Sequence, residues 1–124
     1  MAITASDSVT TVGTEHARLS YHYLDLGDAE GYMSLLDPET RFHHPGERVA
    51  RGPAEAFRSM KRLGCTGGRH SLFKTVSEGD TVIVVGRFTS DDVRGNQKTA
   101  EFADVFTLTD LGLLLTRRRY SWQG

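Results

Sequence analysis

The stretch LDLGDAEGYMSLLDPETRFHHP, residues 24–45, decides the fold of this chain. It predicts the end of one helix at Gly27, followed by a second helix over residues 29–36 that Asp28 caps. Pro38 prevents that helix from continuing. The next residues alternate between apolar and polar side chains, which predicts a strand that ends at His44.

Two more helices flank this stretch. Residues 14–26 place apolar side chains at helical spacing and predict a first helix, with Thr14 as its cap. Residues 1–11 are rich in Ser and Thr, and we expect them to form a flexible N-terminal segment. Pro53, in the first position of a helical pattern, predicts a third helix that Gly64 ends.

The second half of the chain predicts an antiparallel meander of four strands, because residues typical of hairpin turns separate its apolar segments. The predicted strands cover residues 69–77, 81–90, 98–109 and 113–122. Helices followed by a sheet predict an α+β fold, with three N-terminal helices packed on a curved, mostly antiparallel sheet. The chain, residues 1–124, is then a single domain.

Composition excludes several classes of function. The net charge of -1 gives no reason to expect nucleic acid or an anionic membrane as a partner. No apolar run is long enough to span a membrane, no signal-peptide pattern begins the chain, and we expect a cytoplasmic location. The lone Cys65 cannot form an internal disulfide, and His43 and His44 face apart on a strand, so we expect no metal and no cofactor.

Turn lengths predict which side chains share a face of the sheet. A two-residue turn at Gly95 and Asn96 would place Arg87 opposite Asp104. The three-residue turn that follows could pair Thr109 with Gly112 or with Leu113, and the second choice would place Arg118 opposite Asp104. One face would then mix polar and aromatic groups, as a ligand pocket does. Its predicted members are His70, Leu72, Val85, Arg87, Phe102, Asp104, Phe106, Arg118, Tyr120 and Trp122.

The opposite face would be apolar, with no helix left to cover it. Its predicted members are Phe73, Val82, Val84, Phe88, Val105, Leu113 and Leu115. An uncovered apolar sheet face predicts a homodimer through this outer face, and Phe88→Glu should then dissociate or unfold the protein.

His44 and Asp104 are the main candidates for chemistry. A histidine titrates near neutral pH and suits a general base or acid, although a strand-end histidine can also simply bond a backbone carbonyl. Asp104 lies among apolar residues and must be paired or protonated, so it is either functional or part of a structural salt bridge to Arg87 or Arg118. Arg87 could stabilise an enolate, hold a substrate carboxylate, or serve only as that partner.

Residues 24–36 resemble the helix, Gly-Asp and helix of the nuclear transport factor 2-like (NTF2-like) superfamily, which includes ketosteroid isomerases, SnoaL-like polyketide cyclases and scytalone dehydratase. Residues 52–57 and 102–106 resemble its third helix and penultimate strand. The resemblance implies a cone-shaped α+β barrel. An ungapped match to ketosteroid isomerase places its catalytic aspartate on His44 and its second aspartate on Asp104, whereas its tyrosine falls on Ser20, beside Tyr21.

The resemblance implies a cofactor-independent enzyme acting on a hydrophobic, polyketide-like or steroid-like carbonyl compound. His44 would remove a proton next to the carbonyl while Asp104 and Arg87 stabilise the enolate, giving cyclisation, isomerisation or dehydration in secondary metabolism such as antibiotic biosynthesis. A non-catalytic binding or dimerisation module and an epoxide hydrolase are the alternatives. The expected substrate contacts are Tyr21, His70, Arg118, Tyr120, Trp122, Phe102 and Phe106.

Overall fold

The computed structural model describes residues 3–122 and the side chains of residues 7–122. Its three helices are α1 (Ile3–Leu26), α2 (Ala29–Met33) and α3 (Pro53–Arg62). Its six strands are β1 (Leu36–His43), β2 (Ala50–Arg51), β3 (Arg69–Glu78), β4 (Thr81–Asp91), β5 (Gln97–Leu108) and β6 (Leu114–Trp122). This is the predicted α+β fold, with three helices packed on a mostly antiparallel, curved sheet.

Helix α1 begins much earlier than the sequence predicted. Thr14 does not cap it, because the Thr14 hydroxyl donates to the carbonyl of Thr10 inside the helix. The added turns pack on the sheet: Val9 contacts the core, and Gly13 lies so close to Leu108 that any side chain there would clash. Tertiary packing of this kind overrides weak local propensity. The flexibility of residues 1–11 stays a prediction, and residues 1–2 lie outside the described part.

The α1–α2 junction forms as predicted. Gly27 has the positive φ of 69° that suits glycine at a helix end. The Asp28 side chain accepts a hydrogen bond from the backbone N–H of Gly31 at 2.9 Å, which caps α2. Helix α2 is shorter than expected, because β1 already begins at Leu36.

The sheet has the strand order β2-β1-β6-β5-β4-β3. The predicted meander is confirmed as β3 to β6, and each strand pairs antiparallel with the next. Strand β1 extends it by pairing parallel with β6. This pairing brings His44, directly after β1, close to the arginines of β6.

The predicted pairing of Arg87 with Asp104 is wrong. Arg87 lies opposite Glu101, and Asp104 lies opposite Val84. The connection between β4 and β5 is longer than the two-residue turn that we assumed, since the side chain of Asp92 closes it by accepting from the N–H of Arg94 and Asn96. The pairing shifts by an odd number of residues, which moves Arg87 to the other face of the sheet.

The predicted pairing of Asp104 with Arg118 is also wrong. Next to the β5–β6 turn the strands pair as expected, with Leu108 opposite Leu114. An irregularity between Leu108 and Thr107 then shifts the register of the two strands by one residue. Asp104 therefore faces Arg119. Arg118, Tyr120 and Trp122, which we expected in the pocket, lie on the outer face by the alternation of the strand.

The inner face of the sheet, under the helices, carries the core. Val82 and Val84, which were predicted to face outward, are fully buried there, and Phe88 follows the same alternation. Phe88→Glu would therefore perturb the interior and does not test the dimer. The exposed apolar side chains of the outer face are Phe73, Val76, Tyr120 and Trp122.

Candidate functional site

Arg119, Asp104 and Tyr21 form a buried hydrogen-bonded network. Arg119 donates from Nε to Oδ1 and from Nη2 to Oδ2 of Asp104, each at 2.8 Å. The Tyr21 hydroxyl donates to Oδ2 at 2.7 Å. Helix α1 supplies Tyr21, β5 supplies Asp104 and β6 supplies Arg119, so three elements fix the position of one carboxylate.

The charges in this network are fixed as well. Burial alone would raise the pKa of Asp104, but Arg119, Arg117 and the hydrogen bonds outweigh it and hold that pKa below its ordinary value. Burial and the neighbouring carboxylate raise the pKa of Tyr21 well above its ordinary value. Asp104 is therefore an ionised acceptor, and Tyr21 is a protonated donor.

A second guanidinium lies two residues away on the same face of β6. Arg117 is buried and donates from Nη2 to Nδ1 of His44 and from Nη1 to Sδ of Met60, both at 3.2 Å. Its guanidinium also lies 5.1 Å from the centre of the Phe42 ring. Among the described residues, Nε of Arg117 has no hydrogen-bond partner.

Arg117 determines which nitrogen of His44 carries the proton. A guanidinium can only donate hydrogen bonds, so Nδ1 of His44 must accept, and the neutral ring carries its proton on Nε2. Burial, together with the charges of Arg117 and Arg119, lowers the pKa of His44 to about 4. At neutral pH His44 is an uncharged donor.

His70 has the opposite arrangement. Its Nδ1 lies 2.5 Å from Oδ1 of Asp25, and its backbone N–H donates to Oδ2 of the same carboxylate at 3.0 Å. The proton of the neutral ring therefore lies on Nδ1, which leaves Nε2 as an acceptor. The side chain is 0% exposed, and Nε2 has no partner within the described part of the chain.

Aromatic rings enclose His70. The ring centres of Phe88, Tyr21 and Phe102 lie 4.4, 5.1 and 5.8 Å from that of His70. Burial lowers the pKa of His70, although the Asp25 carboxylate opposes this effect. A buried acceptor without a partner costs free energy, so the position of Nε2 calls for an explanation beyond packing.

An open cleft of about 1230 Å³ reaches this region. Its walls include His44, Cys65, Phe88, Phe102 and Arg119. Phe88 and Phe102 line the cleft and also pack on His70, which does not itself line it. Burial raises the pKa of the Cys65 thiol, which fits a small buried filler better than a nucleophile.

The predicted site residues fall into two groups. His44, Asp104, Tyr21, His70, Phe102 and Phe106 all belong to the cleft wall or to the buried layer next to it. Arg87 reaches only the rim, where it is exposed and forms an ion pair with Glu101 at 2.9 Å. Arg118, Tyr120 and Trp122 are exposed on the other face, so these three are not pocket residues.

Sequence reasoning missed Arg117, Arg119 and Asp25. The alternation of side chains along β6 could have indicated buried arginines. In a strand, either Arg118 or both Arg117 and Arg119 must point to the inner face of the sheet. No sequence pattern linked Asp25 at the end of α1 with His70 on β3.

Within residues 3–122, no group of three or more His, Cys, Asp and Glu side chains is placed to hold a metal ion. The helices of that same part of the chain are all too short or too polar to cross a membrane.

The fold is the one that solved NTF2-like proteins have. A profile of the SnoaL-like domain matches residues 17–115. The chain therefore belongs to the SnoaL-like family. No curated protein matches the chain significantly.

Solved structures with this fold include proteins with small-molecule ligands. TerC, co-crystallised with polyporic acid, is 23% identical with a TM-score of 0.77, and the match covers 88% of this chain and 90% of TerC. SalBIII, an epoxide hydrolase/cyclase-like enzyme in pyran ring formation of the polyether salinomycin, is 16% identical with a TM-score of 0.77, and the match covers 89% of this chain and 90% of SalBIII. RV0760c of Mycobacterium tuberculosis, in complex with estradiol-17β-hemisuccinate, is 14% identical with a TM-score of 0.76, and the match covers 90% of this chain and 94% of RV0760c.

Proposed function

We propose that this protein is an acid/base enzyme that moves a proton on a hydrophobic carbonyl compound bound in the cleft. The observation that carries the proposal is the buried, unpartnered Nε2 of His70, with Asp25 on the other ring nitrogen. A base of this kind accepts a proton, and the carboxylate behind it stabilises the resulting imidazolium. A purely structural histidine would leave the cost of the unpaired nitrogen unexplained.

His44 then serves as a donor, which reverses the role that we expected from the sequence. Its Nδ1 is occupied by Arg117, so the nitrogen left for a ligand carries a proton. A neutral imidazole next to cationic groups can donate to a carbonyl oxygen and stabilise an enolate. Arg119 lines the same cleft and takes the stabilising role that we had expected of Arg87.

Asp104 acts in this proposal as a positioning residue. Both of its oxygens are occupied by Arg119 and Tyr21, so neither is free to remove a proton from a ligand. The carboxylate instead fixes the direction of the Arg119 guanidinium, which also lies over the Phe102 ring at 4.4 Å. Preorganised donors of this kind need no reorientation during the reaction.

Two aromatic rings in an otherwise largely polar cleft support a ligand with a hydrophobic part. Phe88 and Phe102 line the cleft, and aromatic surfaces of this kind suit flat ring systems. TerC with polyporic acid and RV0760c with the steroid ester are consistent with such ligands in this fold. Enolisation could lead to cyclisation, isomerisation or dehydration, and SalBIII, which functions in pyran ring formation, favours cyclisation in secondary metabolism. A cytoplasmic location stays a prediction.

Deuterium uptake tests the proposed activity directly. The protein should speed the exchange of protons next to the carbonyl of a hydrophobic ketone in D₂O, and we would begin with 2-tetralone followed by a panel of ketones and β-keto esters. His70→Asn keeps a donor for Asp25 but removes the base, and it should slow exchange by about 10²- to 10⁴-fold. His22→Asn, on the exposed face of α1, is the matched control and should leave the rate unchanged.

A non-catalytic binding module is the second candidate function. The observation that favours it is the complete burial of His70, which a ligand can reach only if the Phe88 and Phe102 side chains move. Saturable binding of the ketone panel without any exchange would support the binding module and contradict the enzyme.

We also propose that the protein forms a homodimer through the outer face of the sheet. Phe73, Tyr120 and Trp122 are 54%, 55% and 46% exposed there, and large exposed apolar side chains on one sheet face are typical of an interface.

A further inference from the structure

The buried charges of the protein do not balance. Within the described residues the buried charged side chains are Asp104, Arg117 and Arg119. Asp104 forms its ion pair with Arg119, whereas Arg117 hydrogen-bonds only to the neutral acceptors of His44 and Met60. The buried layer therefore carries one positive charge in excess.

No carboxylate forms an ion pair with Arg117, and Asp104, whose pKa Arg117 helps to lower, is already paired with Arg119. Glu47, the acid closest in sequence to His44, forms an ion pair with Arg62 at 3.1 Å. Both carboxylate oxygens of Asp25 are hydrogen-bonded to His70. A buried cation without an ion-pair partner lowers the free energy of unfolding by an amount comparable with the net stability of a domain. We therefore expect a protein that keeps such a cation to use it in ligand binding or catalysis.

We propose that the ligand of the cleft carries an anionic oxygen, either a carboxylate or an ionised enol, and that Arg117 selects it by acting through His44. The anion accepts from Nε2–H of His44, whose other nitrogen is held by Arg117. Arg119 lines the same cleft. The inference rests on the proposed function only for the place where the ligand binds.

Arg117 is a positioning residue in this inference, because it lies behind His44 and outside the cleft wall. Its charge polarises the imidazole and attracts the anion over a short, poorly screened distance. A hydrogen bond to a charged group is stronger than a hydrogen bond between neutral groups. The difference of about 1.4 kcal/mol corresponds to about a tenfold change in affinity.

Matched pairs of probes test the inference by calorimetry. The first pair is 2-naphthoate and its neutral methyl ester, and the second is 2-hydroxy-1,4-naphthoquinone, an ionised enol at neutral pH, and its neutral 2-methoxy ether. At least one anion should bind about tenfold more tightly than its neutral partner. The pair that shows the preference identifies the carboxylate or the enol as the source.

Arg117→Met keeps the volume of the side chain and removes its charge, so the preference for the anion should be lost while the neutral probe binds as before. Arg58→Met, on the exposed face of α3, should keep the full preference. Arg117→Lys keeps the positive charge and should keep part of the preference for the anion. This variant still tests the inference if Arg117→Met does not fold.

Equal binding of both members of each pair, a full preference in Arg117→Met, or no binding of any probe at millimolar concentration would overturn the inference. Its failure is distinguishable from failure of the proposed function. Proton exchange by the parent protein without any preference for the anionic probes contradicts only the inference about Arg117, and an anion preference without proton exchange contradicts only the proposed enzyme.

Discussion

Asp104 and Arg119 face each other on neighbouring strands and form two parallel hydrogen bonds of 2.8 Å inside the protein. The two residues are fully buried or nearly so, with exposures of 0% and 6%. This pair fixes one arginine of β6 in the cleft, while Arg117 keeps its charge without a carboxylate. The difference between the two arginines underlies the chemistry that we propose.

Asp104→Asn should destabilise the protein strongly. It removes the only buried negative charge of the described part and leaves two buried guanidinium groups without compensation. Breaking a buried pair on one side costs about 3–5 kcal/mol, which urea denaturation would measure. Glu101→Gln breaks the exposed pair with Arg87 and should change stability far less, because solvent screens an exposed pair. Similar losses in the two variants would show that the Asp104 pair is no stronger than a surface pair.

Phe88→Ala should expose His70. The Phe88 ring packs on His70 at 4.4 Å and lines the cleft, so its removal opens a path from the cleft to Nε2. Diethyl pyrocarbonate should then acylate His70 faster, as peptide mass spectrometry would report. Phe73→Ala removes an exposed ring from the outer face and should not change that rate. Unchanged protection of His70 in Phe88→Ala would mean that Phe88 is not its cover.

Stability should fall on mild acidification. The pKa of His44 is lowered from its ordinary value of 6.5 to about 4, and burial lowers that of His70 as well. Below pH 6.5 the unfolded chain takes up protons that the folded protein does not, so stability present above that pH is lost as the pH falls towards 4. Denaturant midpoints across this range should show the decline. His44→Asn should flatten it, whereas His22→Asn should not.

Light scattering tests the dimer. The protein should have twice the chain mass at micromolar concentration, and Tyr120→Glu, which places a charge on the outer sheet face, should yield monomers that still fold. Val93→Glu is the control, because Val93 is fully exposed in the β4–β5 connection. A monomeric parent protein would contradict the proposed use of the outer face.

The sequence predicted the elements of the fold well because local chemistry determines them. Asp28 caps α2, and Pro53 begins α3, as their side chains require. The turn at Gly112 also set the pairing next to it correctly, since Leu108 lies opposite Leu114.

The site was only partly predictable, because irregularities far from the turns decide the face on which each side chain lies. The shift near Leu108 turned Arg119 inward in place of Arg118. The loop closed by Asp92 moved Arg87 away from Asp104. Neither feature has a local sequence signature that hairpin rules capture, and a shift by one residue exchanges the two faces of a strand.

The most direct test of the account is the position of the proton on each of two histidine rings at neutral pH. Long-range proton–nitrogen NMR distinguishes the two neutral tautomers, and His44→Asn and His70→Asn assign the signals. We expect a proton on Nδ1 of His70, with Nε2 unprotonated, and a proton on Nε2 of His44, with Nδ1 accepting from Arg117. A proton on Nε2 of His70 would leave the proposed base without a lone pair and contradict the account.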